Sequence, residues 1–323
     1  MEKITIKNEN LSVSVLTLGA IVQNITAFGV SVAAGFDSEE EYLADTCYFG
    51  ACVGRTANRT GNDNKIDGVT IPLPLNENGV NHLHGGVEGF NRKRFTVTEK
   101  SDASVTLNYF SPDGEEGYPG NLDLYVTYKL VGDALLISYK ATTDKPTWVN
   151  LTNHTYFNPH GINNELGAGF GGVAVSIYAD KVSTYDENNR VIGDMPVKAT
   201  EFDLNQPTLL QRFYDHNFYL NGDEYKDFSG ISLRKAGEMK SVIGIKCYTD
   251  APCMQLYCGE FIPENTVISG GTVIGSGSAM CFETQLEPNF QSKGENILRP
   301  DGVYETATAY VFSKTDIRIG SVK

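Results

Sequence analysis

Tryptophan occurs once in these 323 residues, and positive charge is scarce: 26 Lys and Arg stand against 40 Asp and Glu, a formal net charge of −14. That sign is wrong for nucleic acid or an anionic membrane surface, so neither is expected as a partner and a neutral small molecule is the easier ligand. Long apolar runs are also missing. None approaches the ~20 residues that span a bilayer, and Met1 to Lys7 alternates like a strand instead of forming the apolar core of a signal peptide. The six cysteines (Cys47, Cys52, Cys247, Cys253, Cys258 and Cys281) show neither CxxC spacing nor a small-domain framework. Buried free thiols in a cytoplasmic protein are the expectation, rather than disulfides or a zinc site. The Asn-x-Ser/Thr matches at Asn24, Asn58, Asn150 and Asn153 then carry no message, because sugars are added there only on the secretory route.

Signals for several enzyme classes are lacking as well. There is no HExxH, no P-loop and no GxSxG, which removes the primary evidence for metalloprotease, kinase-like and α/β-hydrolase readings. A literal GxGxxG runs from Gly167 to Gly172, but it precedes a strand-like run instead of joining a strand to a helix. It reads as a loop, not a nucleotide site. Helical signals are few; the best is Ser38-Glu39-Glu40-Glu41-Tyr42-Leu43, with an N-cap and an acidic first turn.

What remains is short alternation of apolar and polar residues along most of the chain, the mark of β-strands joined by turns. Asn121 to Leu130 and Ala134 to Tyr139 form a hairpin across Gly132-Asp133. The chemistry concentrates in Asn150-Leu151-Thr152-Asn153-His154-Thr155-Tyr156-Phe157, beside Trp148. Read as extended chain, Val149, Leu151 and Phe157 point to a core, while Trp148, Asn150, Thr152, His154 and Tyr156 point to the floor of a polar pocket. The same parity puts Glu283 and Gln285 opposite Phe282, and Gln255 and Tyr257 opposite Met254 and Leu256. If these segments share a sheet, an acid, a base and several amides converge on one concave surface suited to a polyhydroxylated ligand.

Other clusters fit that surface. Arg55 and Arg59 in Gly54 to Asn62 read first as surface charge, with a guanidinium fork onto hydroxyls or a carboxylate as the sharper alternative. His82 and His84, two apart, raise a metal site with His154 as third ligand; otherwise His82 is a turn histidine, and His84 stands before Gly85-Gly86, where backbone can approach a ligand. Asp215 could cap a turn or accept from two sugar hydroxyls.

Together the motifs GRTANR (Gly54 to Arg59), NHLHGG (Asn81 to Gly86), SPDGEEGYPG (Ser111 to Gly120), VNLTNHTYFN (Val149 to Asn158), YDENNRVIGD (Tyr185 to Asp194), DHNF (Asp215 to Phe218), MQLYCG (Met254 to Gly259) and FETQ (Phe282 to Gln285) resemble the aldose 1-epimerases, the galactose mutarotase family. The resemblance implies an all-β fold, one domain over residues 1–323 built as a large antiparallel β-sandwich (a galactose mutarotase-like supersandwich) with few short helices. It implies a cofactor-free, metal-free interconversion of the α and β anomers of an aldose such as galactose or glucose. On the matching positions, His154 is the general acid and Glu283 the general base, while Asn58, Arg59, His84, Asp215 and Gln255 bind substrate; strand parity adds Tyr156 to the expected substrate-binding set. A monomer and a homodimer both fit. Substrate preference is left open by the loop Gly61 to Asn64 and by Glu287, where the sequence departs from the pattern.

Ring opening removes a proton from the anomeric hydroxyl and delivers one to the ring oxygen, so an ionised Glu283 and a protonated His154 are expected. They are expected to face each other across a gap one pyranose wide, with the acidic surroundings and Asp215 holding the imidazole charged. A non-catalytic sugar-binding module is the alternative. A phosphohexose epimerase fits poorly, because the identified motifs supply Arg55 and Arg59 in one loop only, where phosphate would want several cations converging.

Overall fold

The computed structural model describes residues 1–162 and 170–315. The glycine motif falls partly outside them, at 167–169. Alternation becomes strand almost wherever it occurs, and every pairing between named strands is antiparallel among the described residues. The largest sheet runs Thr96–Lys100, Ser104–Ser111, Leu122–Val131, Ala134–Thr143, Tyr304–Lys314, Ile243–Thr249, Ile231–Lys240, Ala174–Ile177 and Thr208–Leu209, with Tyr225–Phe228 also paired to Ile231–Lys240. The expected hairpin is at its centre, Val131 opposite Ala134.

A second sheet contains Val191–Pro196, Ala179–Tyr185, Asp215–Leu220, Cys253–Tyr257 and Cys281–Gln285 in that order. Its Phe218, Met254, Leu256 and Phe282 share one core with Leu124, Val126, Leu135, Ile137 and Ile245 of the large sheet. Burying each such side chain contributes ~1.5–3 kcal/mol. The Tyr310 hydroxyl crosses between the sheets and donates to the Phe282 carbonyl at 2.7 Å. One face of the smaller sheet is thereby fixed as core, and its alternate residues are turned the other way.

The one α-helix among the described residues, Glu39–Ala44, starts as expected. Ser38 and Glu41 form a reciprocal capping box. Arg55 differs from expectation: it is 2% exposed, donating through Nε and Nη2 to the Ser111 hydroxyl and through its terminal nitrogens to the carbonyls of Ser111, Pro112 and Pro119. The guanidinium ties the GRTANR loop to the SPDGEEGYPG loop instead of meeting solvent. Gly85 likewise faces protein, not ligand. At φ +88 a Cβ there would lie 1.7 Å from the Gly54 carbonyl oxygen, so no other side chain fits.

The stretch around His154 is not one strand. Thr147–Trp148, Thr152–Asn153 and Tyr156–Phe157 pair with Ile297–Leu298, Cys52–Val53 and Ala33–Ala34 respectively. Each break resets the parity. Trp148 therefore packs with Ile66, Leu73, Tyr118 and Phe290 in a separate core, and Asn150 and Thr152 are buried away from the cavity; only His154 and Tyr156 reach it.

Candidate active site

Antiparallel register aligns the polar residues of the smaller sheet. Asp215 lies opposite Tyr257, Asn217 opposite Gln255, Gln255 opposite Glu283 and Tyr257 opposite Cys281. His154 is brought to this face by its backbone, which donates to the Ala51 carbonyl and accepts from the Gly50 N–H, both at 2.9 Å. Asn58 and His84, at φ 65 and 52, sit in left-handed turns that aim neighbouring side chains inward. Together they enclose a cavity of about 580 Å³ lined by His154, Glu283, Asn58, Arg59, His84, Asp215, Gln255 and Tyr156. At ~30 Å³ per water, that is on the order of 20 waters, room for a hexose of 12 non-hydrogen atoms with solvent to spare.

His154 Nε2 is 3.6 Å from Glu283 Oε2, and Oε2 has no hydrogen-bond partner. A gap one pyranose wide between the two is therefore excluded. The two groups stand side by side, an arrangement that would suit two oxygens bonded to one carbon. The charges are also the reverse of expectation. Burial pushes the Glu283 carboxyl up to about 8, aided by Asp215 and opposed by Arg59. Burial pushes His154 down to about 4, outweighing Asp215. Both shifts favour the uncharged forms, so the 3.6 Å contact is one between a protonated carboxyl and a neutral imidazole.

The remaining groups form a polar rim. Gln255 Nε2 donates to Asp215 Oδ1 at 2.6 Å, and Arg59 Nη1 is 3.5 Å from Asp215 Oδ2. Asn58 Oδ1 accepts from the Arg59 N–H at 2.8 Å. The Tyr156 hydroxyl is spent on the Cys47 carbonyl at 2.9 Å, so this residue offers the cavity a ring, not a donor. Cys281 Sγ lies 3.5 Å from His154 Nδ1. The Tyr48 ring is 4.7 Å from His84, centroid to centroid.

His84, His154 and Glu283 present donor atoms within 4.8 Å of one another, a donor set known from catalytic zinc. The tautomer does not suit it. The Asn58 backbone N–H donates to His84 Nδ1 at 3.3 Å, so in the neutral ring Nε2 carries the proton and no lone pair is free for a metal. His82 is no ligand either: Nδ1 pairs with the Pro74 carbonyl and Nε2 with the Tyr118 hydroxyl, both at 2.7 Å.

Sequence reasoning missed Glu77, Tyr48, Tyr185, Asn189 and Phe261, which also line the cavity. Tyr185 and Asn189 were inside a quoted motif, and Glu77 is followed by Asn78-Gly79, a hairpin signal; Tyr48 and Phe261 had no signal of their own. Glu287 lies outside the lining, accepting from the Tyr219 hydroxyl and Lys293 at 2.6 and 2.8 Å, as does the loop Gly61 to Asn64. A second cleft of about 370 Å³ beside Leu286 and Tyr304 contains carboxylates but no imidazole or cation.

A sandwich of antiparallel sheets that buries an acid and a base in a cavity rimmed by amides, a guanidinium and a carboxylate defines the class of the mutarotase-like isomerases. The sequence model of aldose 1-epimerase matches residues 2–311. The chain belongs to the aldose 1-epimerase family. It is 36% identical to the galactose mutarotase of Sus scrofa over 334 residues, covering 97% of this chain and 94% of that one. It is 32% identical to the aldose 1-epimerase of Escherichia coli (strain K12), covering 86% and 84%. Among solved structures, galactose 1-epimerase from Lactobacillus acidophilus NCFM superposes with a TM-score of 0.83 at 27% identity, covering 97% of this chain and 94% of that one. A GalM/aldose epimerase homologue from C. elegans, with a TM-score of 0.86 at 24% identity and coverage of 98% and 99%, supports the fold.

Proposed function

We propose that this chain, as one domain, interconverts the α and β anomers of free hexoses such as galactose and glucose, with His154 as general acid and Glu283 as general base. The observation that carries this reading is the 3.6 Å approach of these two groups at the floor of a cavity wide enough for a hexose. Similarity to galactose mutarotases and aldose 1-epimerases along nearly the whole chain supports the reaction. No helix among the described residues is long and apolar enough to cross a membrane, and six free, buried cysteines support a cytoplasmic setting.

The working state needs the carboxylate and the imidazolium, one proton shift away from the resting pair. A sugar supplies the bias: its anomeric hydroxyl donates to Glu283 and stabilises the ionised form, while the ring oxygen accepts from His154 Nε2. Glu283 then takes the hydroxyl proton, the bond between anomeric carbon and ring oxygen breaks, and His154 protonates the ring oxygen. The pair is left in its resting protonation. After the aldehyde rotates, Glu283 returns its proton to the carbonyl oxygen, His154 removes the one it gave, and the ring closes on the other face. Each positioned transfer contributes ~10²–10⁴-fold. Arg59, Asp215, Gln255, Asn58 and His84 hold the remaining hydroxyls while this happens.

The test follows optical rotation in fresh α-galactose and α-glucose. His154→Ala and Glu283→Ala should each abolish the acceleration while sugar still binds by calorimetry. Wild-type acceleration in both variants would overturn these two roles; a wild type that binds sugar but accelerates nothing would leave a sugar-binding module on the same fold, a reading no observation favours, since a binder gains nothing from a buried acid and base.

A further inference from the structure

Arg59 is held by a cavity-lining residue, Glu77, that is not among the groups proposed to bind sugar. Its Nε is 3.1 and 2.9 Å from the two carboxylate oxygens of Glu77, and its Nη2 is 3.0 Å from Oε1. That is a side-on fork, the geometry in which guanidinium and carboxylate planes lock. It uses the Nε and Nη2 edge and leaves Nη1 pointing to Asp215 at 3.5 Å. Glu77 is itself fixed. Asn78 and Gly79 have φ values of 52 and 70, both left-handed, as Asn-Gly favours in a tight turn, and the Val80 N–H closes it on the Glu77 carbonyl at 3.0 Å. The backbone of Glu77 then pairs with Asn81 in both directions, and Asn81 Nδ2 donates to Glu77 Oε2 at 2.7 Å.

We propose that Glu77 is a positioning residue: the Asn78-Gly79 turn delivers its carboxylate to the back edge of Arg59, restricting the guanidinium to one orientation in which only Nη1 serves the sugar and Asp215. Asp215 is the competing partner. Without Glu77, the cation is free to swing onto Asp215, only 3.5 Å away. A closer Arg59–Asp215 pair withdraws both groups from the substrate hydroxyls, so binding suffers while His154 and Glu283, neither of which Glu77 contacts, keep their 3.6 Å approach.

This inference rests on the proposed role of Arg59 in sugar binding, and the experiment separates the two. Steady-state mutarotation of galactose is measured for the wild type, Glu77→Ala, Glu77→Gln, Arg59→Ala and the double variant Arg59→Ala/Glu77→Ala, each with a thermal melt to confirm folding. For Glu77→Ala, KM should rise roughly tenfold or more with kcat within about twofold, as when an interaction with a charged group is lost from binding alone. Glu77→Gln keeps the shape and one acceptor and should fall between. The double variant should be no worse than Arg59→Ala, because Glu77 acts only through Arg59. Unchanged KM in both Glu77 variants, or additive losses in the double variant, overturns the positioning role. An inactive wild type, or an Arg59→Ala with normal KM, overturns the site assignment instead.

Discussion

Glu283 is a carboxyl that the fold keeps protonated, and replacing it with glutamine should expose what that costs. In the unfolded chain it ionises near its ordinary 4.5, whereas burial moves it to about 8 in the folded protein. Between those values the native state holds a proton that the unfolded state has lost, so stability falls as pH rises through the window. The slope is ~1.4 kcal/mol per pH unit, giving roughly 3 kcal/mol at pH 7; water in the cavity and local relaxation reduce this to about 1–3 kcal/mol. Glu283→Gln carries no such proton and keeps the size of the side chain, so it should be as stable as the wild type near pH 4.5 and more stable above it. At roughly 2 °C per kcal/mol for a chain this long, the variant should melt about 2–6 °C higher at pH 7. The assay is a series of thermal melts of both proteins from pH 4.5 to 8. His154 titrates downward in both and largely drops out of the difference. A Tm difference that does not grow with pH, or a variant less stable at pH 8, would refute the assignment of the proton to Glu283.

Two further outcomes follow from the same geometry. The rate of mutarotation should be bell-shaped in pH, rising through about 4 and falling through about 8, because the pair works only with one proton between its members; a rate constant across pH 4 to 9 would count against the pairing. Arg55→Ala should destabilise the fold by ~3 kcal/mol or more in urea melts, since it strips the buried acceptors of Ser111, Pro112 and Pro119. Arg55→Lys should not restore it, as an ammonium cannot fork across these positions; full recovery would show that only the charge matters.

Much of the site was legible because parity is local. Phe282 and Glu283 must point to opposite faces of any strand that contains both, and one apolar neighbour fixes which face is core. Met254 and Gln255 obey the same rule, and so does the capping box at Ser38, where four residues suffice. Parity misled where the chain broke. Trp148 and His154 share a phase on paper, yet three separate pairings lie between Thr147 and Phe157, so only His154 arrives at the cavity.

Charge was less legible than position. An acidic chain invites a protonated histidine, but the cost of desolvating a fully enclosed imidazole exceeds the attraction of Asp215, and that enclosure is assembled from segments far apart in sequence. Arg55 and Glu77 show the same limit in opposite ways. Arg55 reads as a surface charge, yet it is buried beneath a loop it stitches down; Glu77 is marked only by the Asn-Gly that follows it, yet it grips Arg59. Residue order by itself determined the all-β architecture and the faces on which Glu283 and Gln255 lie, because alternation and turn chemistry act over a few residues. Tertiary structure alone decided how close the acid and base lie, where their proton sits and who holds Arg59, because distance and dielectric depend on which remote strands pack together.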